Sequence, residues 1–234
     1  MDFEDVFDDE MFEDSFDDER VENIYSSLQM EQFELEQPLI SKKSTTNAFT
    51  VERGFINSKL YHDKFEQLPV NKIVQQSLYI ETGRLLEFVD GQEQERMVAI
   101  NARTGEFLVD NFERDGSISG TGFTKSESYK VLNCPDNVAL IHNHSLNGRP
   151  SIQDILTYAR EDKVKLSIIA CHDGTLYAIY GVNPKVNDVY NAIFDITRQS
   201  VTDLDEVKRL ATTKLYLINE KLGERHKLMN IKCF

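Results

Sequence analysis

The sequence predicts an α/β (α+β) fold in which helices flank a mixed β-sheet. Three observations lead there. Apolar residues recur at helical spacing before residue 90, and they alternate or cluster in short runs over 97–110 and 165–181. Between 138 and 171 the order is strand, helix, strand. Such a unit joins two parallel strands, and the hairpins beside it add antiparallel ones, so the sheet is mixed.

Taken in order, the chain opens on MDFEDVFDDEMFEDSFDDER, in which eleven acids and one arginine give residues 1–20 a net charge of −10. That leaves −4 of the total −14 for everything else: a nearly neutral body with an acidic tail. Phenylalanines at 3, 7, 12 and 16 come together only on a helix, which acidic self-repulsion opposes in isolation. Residues 1–36 therefore read either as a disordered solvating tail or as a docking segment for a basic, apolar groove on a partner protein. Residues 21–35 could form a short helix, and 37–56, rich in lysine and Ser/Thr, read as a linker.

The main domain is expected over 57–185. Val70, Ile73, Val74, Leu78, Leu85, Leu86 and Val89 mark its first helix, which ends at Asp90-Gly91. MVAIN, the turn ARTG and EFLVD form a hairpin, and SESYKVLN and NVALIHNH are read as further strands. SIQDILTYARED is a helix, KLSIIAC a strand, HDG a turn and TLYAIYG a strand. Residues 186–234 are expected as a C-terminal helical extension, with an apolar stripe through Leu204, Val207, Leu210, Ala211, Leu215, Ile218 and Leu222. The histidines at 62 and 226 have no partners in sequence and read as surface residues, and His172 reads as part of a turn, with a place near a cleft as the alternative.

Composition excludes several function classes. The body lacks the basic footprint of a nucleic-acid binder, so no nucleic acid is expected. No apolar run approaches the roughly 18–20 residues that cross a membrane, and the N-terminus does not resemble a secretory or transit signal. Cys134, Cys171 and Cys233 are scattered and in no C-x-x-C spacing, which fits a reducing, cytoplasmic compartment.

The stretch ALIHNHSLNGRPSIQDI, residues 139–155, spends two of the chain's five histidines one residue apart. On a strand, residues i and i+2 share a face, so His142 and His144 present both imidazoles together, roughly 6.5–7 Å apart at their Cα atoms. Ser151 follows Pro150 as a helix N-cap, with Asp154 at the third helical position. Alone, Ser-x-x-Asp is an ordinary capping arrangement. Joined to the histidine pair by one short loop, it puts a carboxylate beside two imidazoles, a ligand set suited to catalytic zinc.

HNHSLNGRPSIQD resembles the signature of the JAB/MPN (JAMM) zinc metallopeptidase superfamily, in which His-x-His is followed by a loop and Ser-x-x-Asp. The resemblance spans roughly 90–185, and KLSIIACHDGTLYAIYG is similar to the ending of prokaryotic and phage-type members, including the tails of some phage head-morphogenesis proteins. It implies an MPN/JAB-like (cytidine-deaminase-like) fold with helical extensions. It also implies that His142, His144 and Asp154 hold zinc and that Ser151 hydrogen-bonds the oxyanion. A glutamate just before the first strand would be the general base; Glu95 is the first choice and Glu93 the second, while Glu87 and Glu106 fit less well. Two departures are plain. Ser145 stands where most members have proline, and the loop is one residue shorter than in eukaryotic deubiquitinating members.

The function implied is zinc-dependent hydrolysis of a peptide or isopeptide bond in a protein or peptide substrate. The setting would be processing or deconjugation, in the host cytoplasm or virion if the chain is phage-encoded. A non-catalytic MPN-like scaffold, for instance a minor phage structural component, is the alternative, and metal-dependent chemistry on nucleic acid is the third. Were the acidic tail to occupy the cleft, deleting residues 1–36 would raise turnover.

Overall fold

A computed structural model describes residues 49–113, 121–223 and 227–234. The acidic tail, the helix expected over 21–35, most of the expected linker and His226 lie outside the described residues. Seven helices and six strands are formed among the described residues: α1 Arg53–Ile56, α2 Lys59–Phe65, α3 Lys72–Phe88, β1 Met97–Asn101, β2 Phe107–Asp110, α4 Lys125–Leu132, β3 Val138–His144, α5 Ile152–Arg160, β4 Val164–Cys171, β5 Leu176–Val182, α6 Val186–Arg198, α7 Leu204–Lys221 and β6 Met229–Cys233. The strands make one mixed sheet in the order β2-β1-β3-β4-β5-β6. Only β3 and β4 run parallel, and α5 is the crossover between them.

Both faces of the sheet are covered. On one, Val74, Leu78, Leu85 and Leu86 of α3 pack on Val98, Ile100, Ala139, Ile141, Ile168 and Ala170. Asn71 caps that helix by accepting from the Val74 N–H at 3.0 Å. On the other face, Ile169 and Ile179 lie under α5, α6 and α7, while Met97, Ala99, Leu140 and Val164 form a smaller cluster with Val131 of α4. Strands enclosed on both sides need apolar residues at every position, and β1 is buried along its whole length.

The mixed sheet, the hairpin and the strand–helix–strand unit agree with the sequence reading; three expectations need correction. SESYKVLN is not a strand but α4, started by a capping box: Thr124 Oγ1 accepts from the Glu127 N–H, and the Glu127 carboxylate accepts from the Thr124 N–H at 2.7 Å. The extension 186–234 is not wholly helical. Its helices supply half of one core, and its end forms β6, paired to β5 and gripped by the Asn219 amide on both backbone groups of Met229. The linker does not reach residue 56, because Val51 and Ile56 are buried in the α3-side core.

Candidate metal centre

β3 brings the site to the edge of the parallel pair. Its even-numbered residues, Val138 and Leu140, face α4 and α5, and its odd-numbered ones, Ala139 and Ile141, face α3. His142 and His144 continue the even series at the carboxyl end of the strand, where open α/β sheets place their ligand crevices. The loop then turns back through Asn147, which takes a left-handed φ of 57° that asparagine tolerates. Its side-chain oxygen accepts from the Asp173 N–H at 3.1 Å, tying the loop to the β4–β5 turn.

That return delivers the first turn of α5 to the histidines. Ser151 Oγ accepts from the Asp154 N–H at 3.2 Å, and Asp154 Oδ2 accepts from the Ser151 N–H at 2.6 Å. The capping box fixes the carboxylate, whose Oδ1 lies 3.2 Å from His142 Nε2 and whose Oδ2 lies 3.4 Å from His144 Nε2. The two Nε2 atoms are 3.2 Å apart. Capping and convergence are thus one arrangement.

His144 Nδ1 faces the Gly148 carbonyl at 3.0 Å and therefore carries the proton it donates there. In the neutral ring this leaves the Nε2 lone pair aimed at the carboxylate and at the other imidazole. A metal ion between them would satisfy the lone pairs so gathered, as would a hydrogen carried on His142 Nε2. Tetrahedral ligands about 2.0–2.1 Å from zinc lie roughly 3.3 Å from one another. The Nε2–Nε2 distance of 3.2 Å and the 3.2 Å from His142 Nε2 to Asp154 Oδ1 match that spacing, while the 3.4 Å approach to His144 Nε2 is made by the other carboxylate oxygen. One ligand atom from each residue lies within 4.8 Å of the others, so these three residues could hold one such ion. The buried His142 Nδ1 has no protein partner.

Electrostatics follow from this crowding. Burial opposes the charged form of His144, but the bond to Asp154, its negative charge and the Gly148 carbonyl prevail and raise the pKa above the ordinary value. Burial would raise the Asp154 pKa, yet the adjoining histidines hold its carboxyl far below the usual carboxylate range.

Glu95 is two residues before β1, in a segment outside any helix or strand. The pairing of Met97 with His142, carried back two residues, sets Glu95 opposite His144 on the same face. Its Oε1 is 3.8 Å from His144 Nε2. Burial raises its pKa, opposed by the two histidines and assisted by Asp154. A cleft of about 230 Å³ is lined by Glu95, His142, His144, Ser151 and Asp154, with Met97, Leu140 and Tyr158 on its apolar side. Glu93 does not line this cleft, and Glu87 and Glu106 are exposed outside it.

His172 lies in the expected turn, and its partners are long-range. It is only 1% exposed, and its Nδ1 donates to the Phe49 carbonyl at 2.8 Å while Nε2 accepts from Asn143 Nδ2 at 3.2 Å. Neither partner adjoins it in sequence, so no local signal marked it. His62 is half-buried near Gln76, away from the centre.

Compared with known proteins, the chain matches no family model, no curated protein and no solved structure. Among the described residues no helix is long and apolar enough to cross a membrane.

Proposed function

We propose that the chain is a zinc-dependent hydrolase of peptide or isopeptide bonds, of the JAB/MPN type that its His-x-His…Ser-x-x-Asp motif resembles. The observation that carries this is the convergence of His142, His144 and Asp154, with one ligand atom from each within 4.8 Å of the others, and Glu95 and Ser151 on the same cleft. A bound zinc ion would be held by those three residues and would polarise a carbonyl and acidify water.

The chain's own residues supply the rest. Glu95 has a carboxylate in a buried setting that favours taking up a proton, so it suits removal of a proton from the attacking water and its return to the leaving amine. The Ser151 hydroxyl accepts from an α5 N–H and keeps its own O–H to donate to the oxyanion. His144 is held in one tautomer by the Gly148 carbonyl, so its ligating nitrogen is fixed. Among the described residues lining the cleft none is lysine or arginine, which weighs against a nucleic-acid substrate.

The test is turnover by the zinc-loaded chain on a panel of fluorogenic peptide and isopeptide-linked substrates. Hydrolysis by the wild type that Glu95→Gln abolishes is the expected result. Inertness toward every substrate, with zinc bound, would favour the scaffold alternative.

A further inference from the structure

Glu95 belongs to no regular element, yet a proton carrier must be held to within fractions of an ångström. The ladder between β1 and β3 ends at the pair Met97–His142, and the segment 93–96 runs on without strand pairing. What holds it is the other face of β3. Asn143, between the two histidines and fully buried, accepts from the Arg96 N–H through Oδ1 at 2.7 Å and donates from Nδ2 to the Gln94 carbonyl at 3.2 Å. One carboxamide thus clamps the backbone on both sides of Glu95.

Two further groups complete the clamp. The remaining Asn143 N–H points to His172 Nε2 at 3.2 Å, and His172 is itself fixed by donating to the Phe49 carbonyl. Ser145 Oγ donates to the Glu93 carbonyl at 3.1 Å, a bond that proline at this position could not make. The alternation of β3 therefore divides the work: His142 and His144 face the cleft with Glu95, while Asn143 on the other face, with Ser145 just past the strand, holds the segment that carries it.

We propose that Asn143, supported by Ser145 and His172, is the positioning residue for Glu95. This rests on the reading of His142, His144 and Asp154 as a metal centre with Glu95 as its base. The carboxamide is specified in both directions, an oxygen to an N–H and an amide nitrogen to a carbonyl and a ring nitrogen, so removing it frees the segment and leaves the three ligands in place.

Cobalt(II) is the probe, because its visible spectrum reports the pH-dependent ionisation of a site that Glu95 faces. The full chain would be loaded with cobalt and its spectrum titrated with pH for wild type, Glu95→Gln, Asn143→Ala and Ser145→Ala. Asn143→Ala is expected to keep cobalt stoichiometry and to move the spectral midpoint in the direction, and by an amount comparable to, Glu95→Gln; Ser145→Ala should move it less. The Arg96 amide should exchange about tenfold faster or more in Asn143→Ala, as expected for loss of a buried hydrogen bond, while β3 and β4 amides keep their protection. A wild-type midpoint in Asn143→Ala, where Glu95→Gln shifts it, overturns the proposal. Should Asn143→Ala not fold, the presence or absence of the shift in Ser145→Ala and His172→Gln decides. Failure of the wild type to bind cobalt, or of Glu95→Gln to shift the midpoint, instead overturns the metal-centre reading beneath it.

Discussion

Each residue of the centre answers to two demands at once. Asp154 is a helix-capping acid and a carboxylate within 3.4 Å of both imidazoles. Replacing it with alanine should abolish zinc binding and also cost about 0.5–1.5 kcal/mol through the lost bond to the Ser151 N–H, measurable as a lower denaturant midpoint in metal-free protein. Glu95→Gln should behave oppositely, keeping zinc and stability while turnover falls by about 10²–10⁴-fold. In the metal-free protein the raised His144 pKa contributes stability that is fully present below about 6.5, the ordinary imidazole value, and is lost as pH rises through the folded value. Asp154, held low, contributes stability present above about 3.9 and lost only as pH falls through its depressed value. Burial lowers the His172 pKa, which pulls stability the other way over the same range, so the His144 contribution is read by difference. The stability that metal-free wild type holds over metal-free His144→Gln should be smaller at pH 8 than at pH 6, whereas excess zinc should stabilise the wild type more at pH 8, since the metal competes with protons for the imidazoles. A wild-type-minus-variant difference that does not change across that range would mean that His144 does not pair as described.

At the scale of elements, the correct expectations came from periodicity and the wrong ones from signals passed over. Both imidazoles on one face followed from the period of β3, and the nearness of Asp154 from a loop too short to place it elsewhere. α4 was misread as a strand although Thr124-Lys125-Ser126-Glu127 carries the Thr-x-x-Glu capping signature. β6 was absorbed into a helix although Met229, Ile231 and Cys233 alternate with polar residues. The clamp on Glu95 was invisible, because it joins residues 93–96 to 143, 145 and 172 through bonds no local pattern encodes. That β6 belongs to the core has a measurable consequence. Met229 is 1% exposed, and Met229→Ala should cost about 2–5 kcal/mol in equilibrium unfolding. A surface appendage would lose well under 1 kcal/mol.

Over the whole molecule, a sheet covered on both faces gathers the candidate centre at one end, where β3, the start of α5 and the approach to β1 meet. The ligands converge only when the start of α5 folds back over the end of β3, so an ion shared between β3 and α5 binds the folded chain far better than the unfolded one. Zinc at a thousandfold excess over its dissociation constant should therefore stabilise the wild type by about 4 kcal/mol. A chelator should lower the thermal midpoint of the wild type and leave that of His142→Ala unmoved. The most direct measurement is the zinc content of the purified full chain by elemental analysis, beside His142→Ala and Asp154→Ala. The arrangement of His142, His144 and Asp154 predicts about one zinc per chain in the wild type, as for a single tetrahedral site, and none in either variant. A wild type that stays metal-free after reconstitution, or variants that keep their zinc, would contradict it.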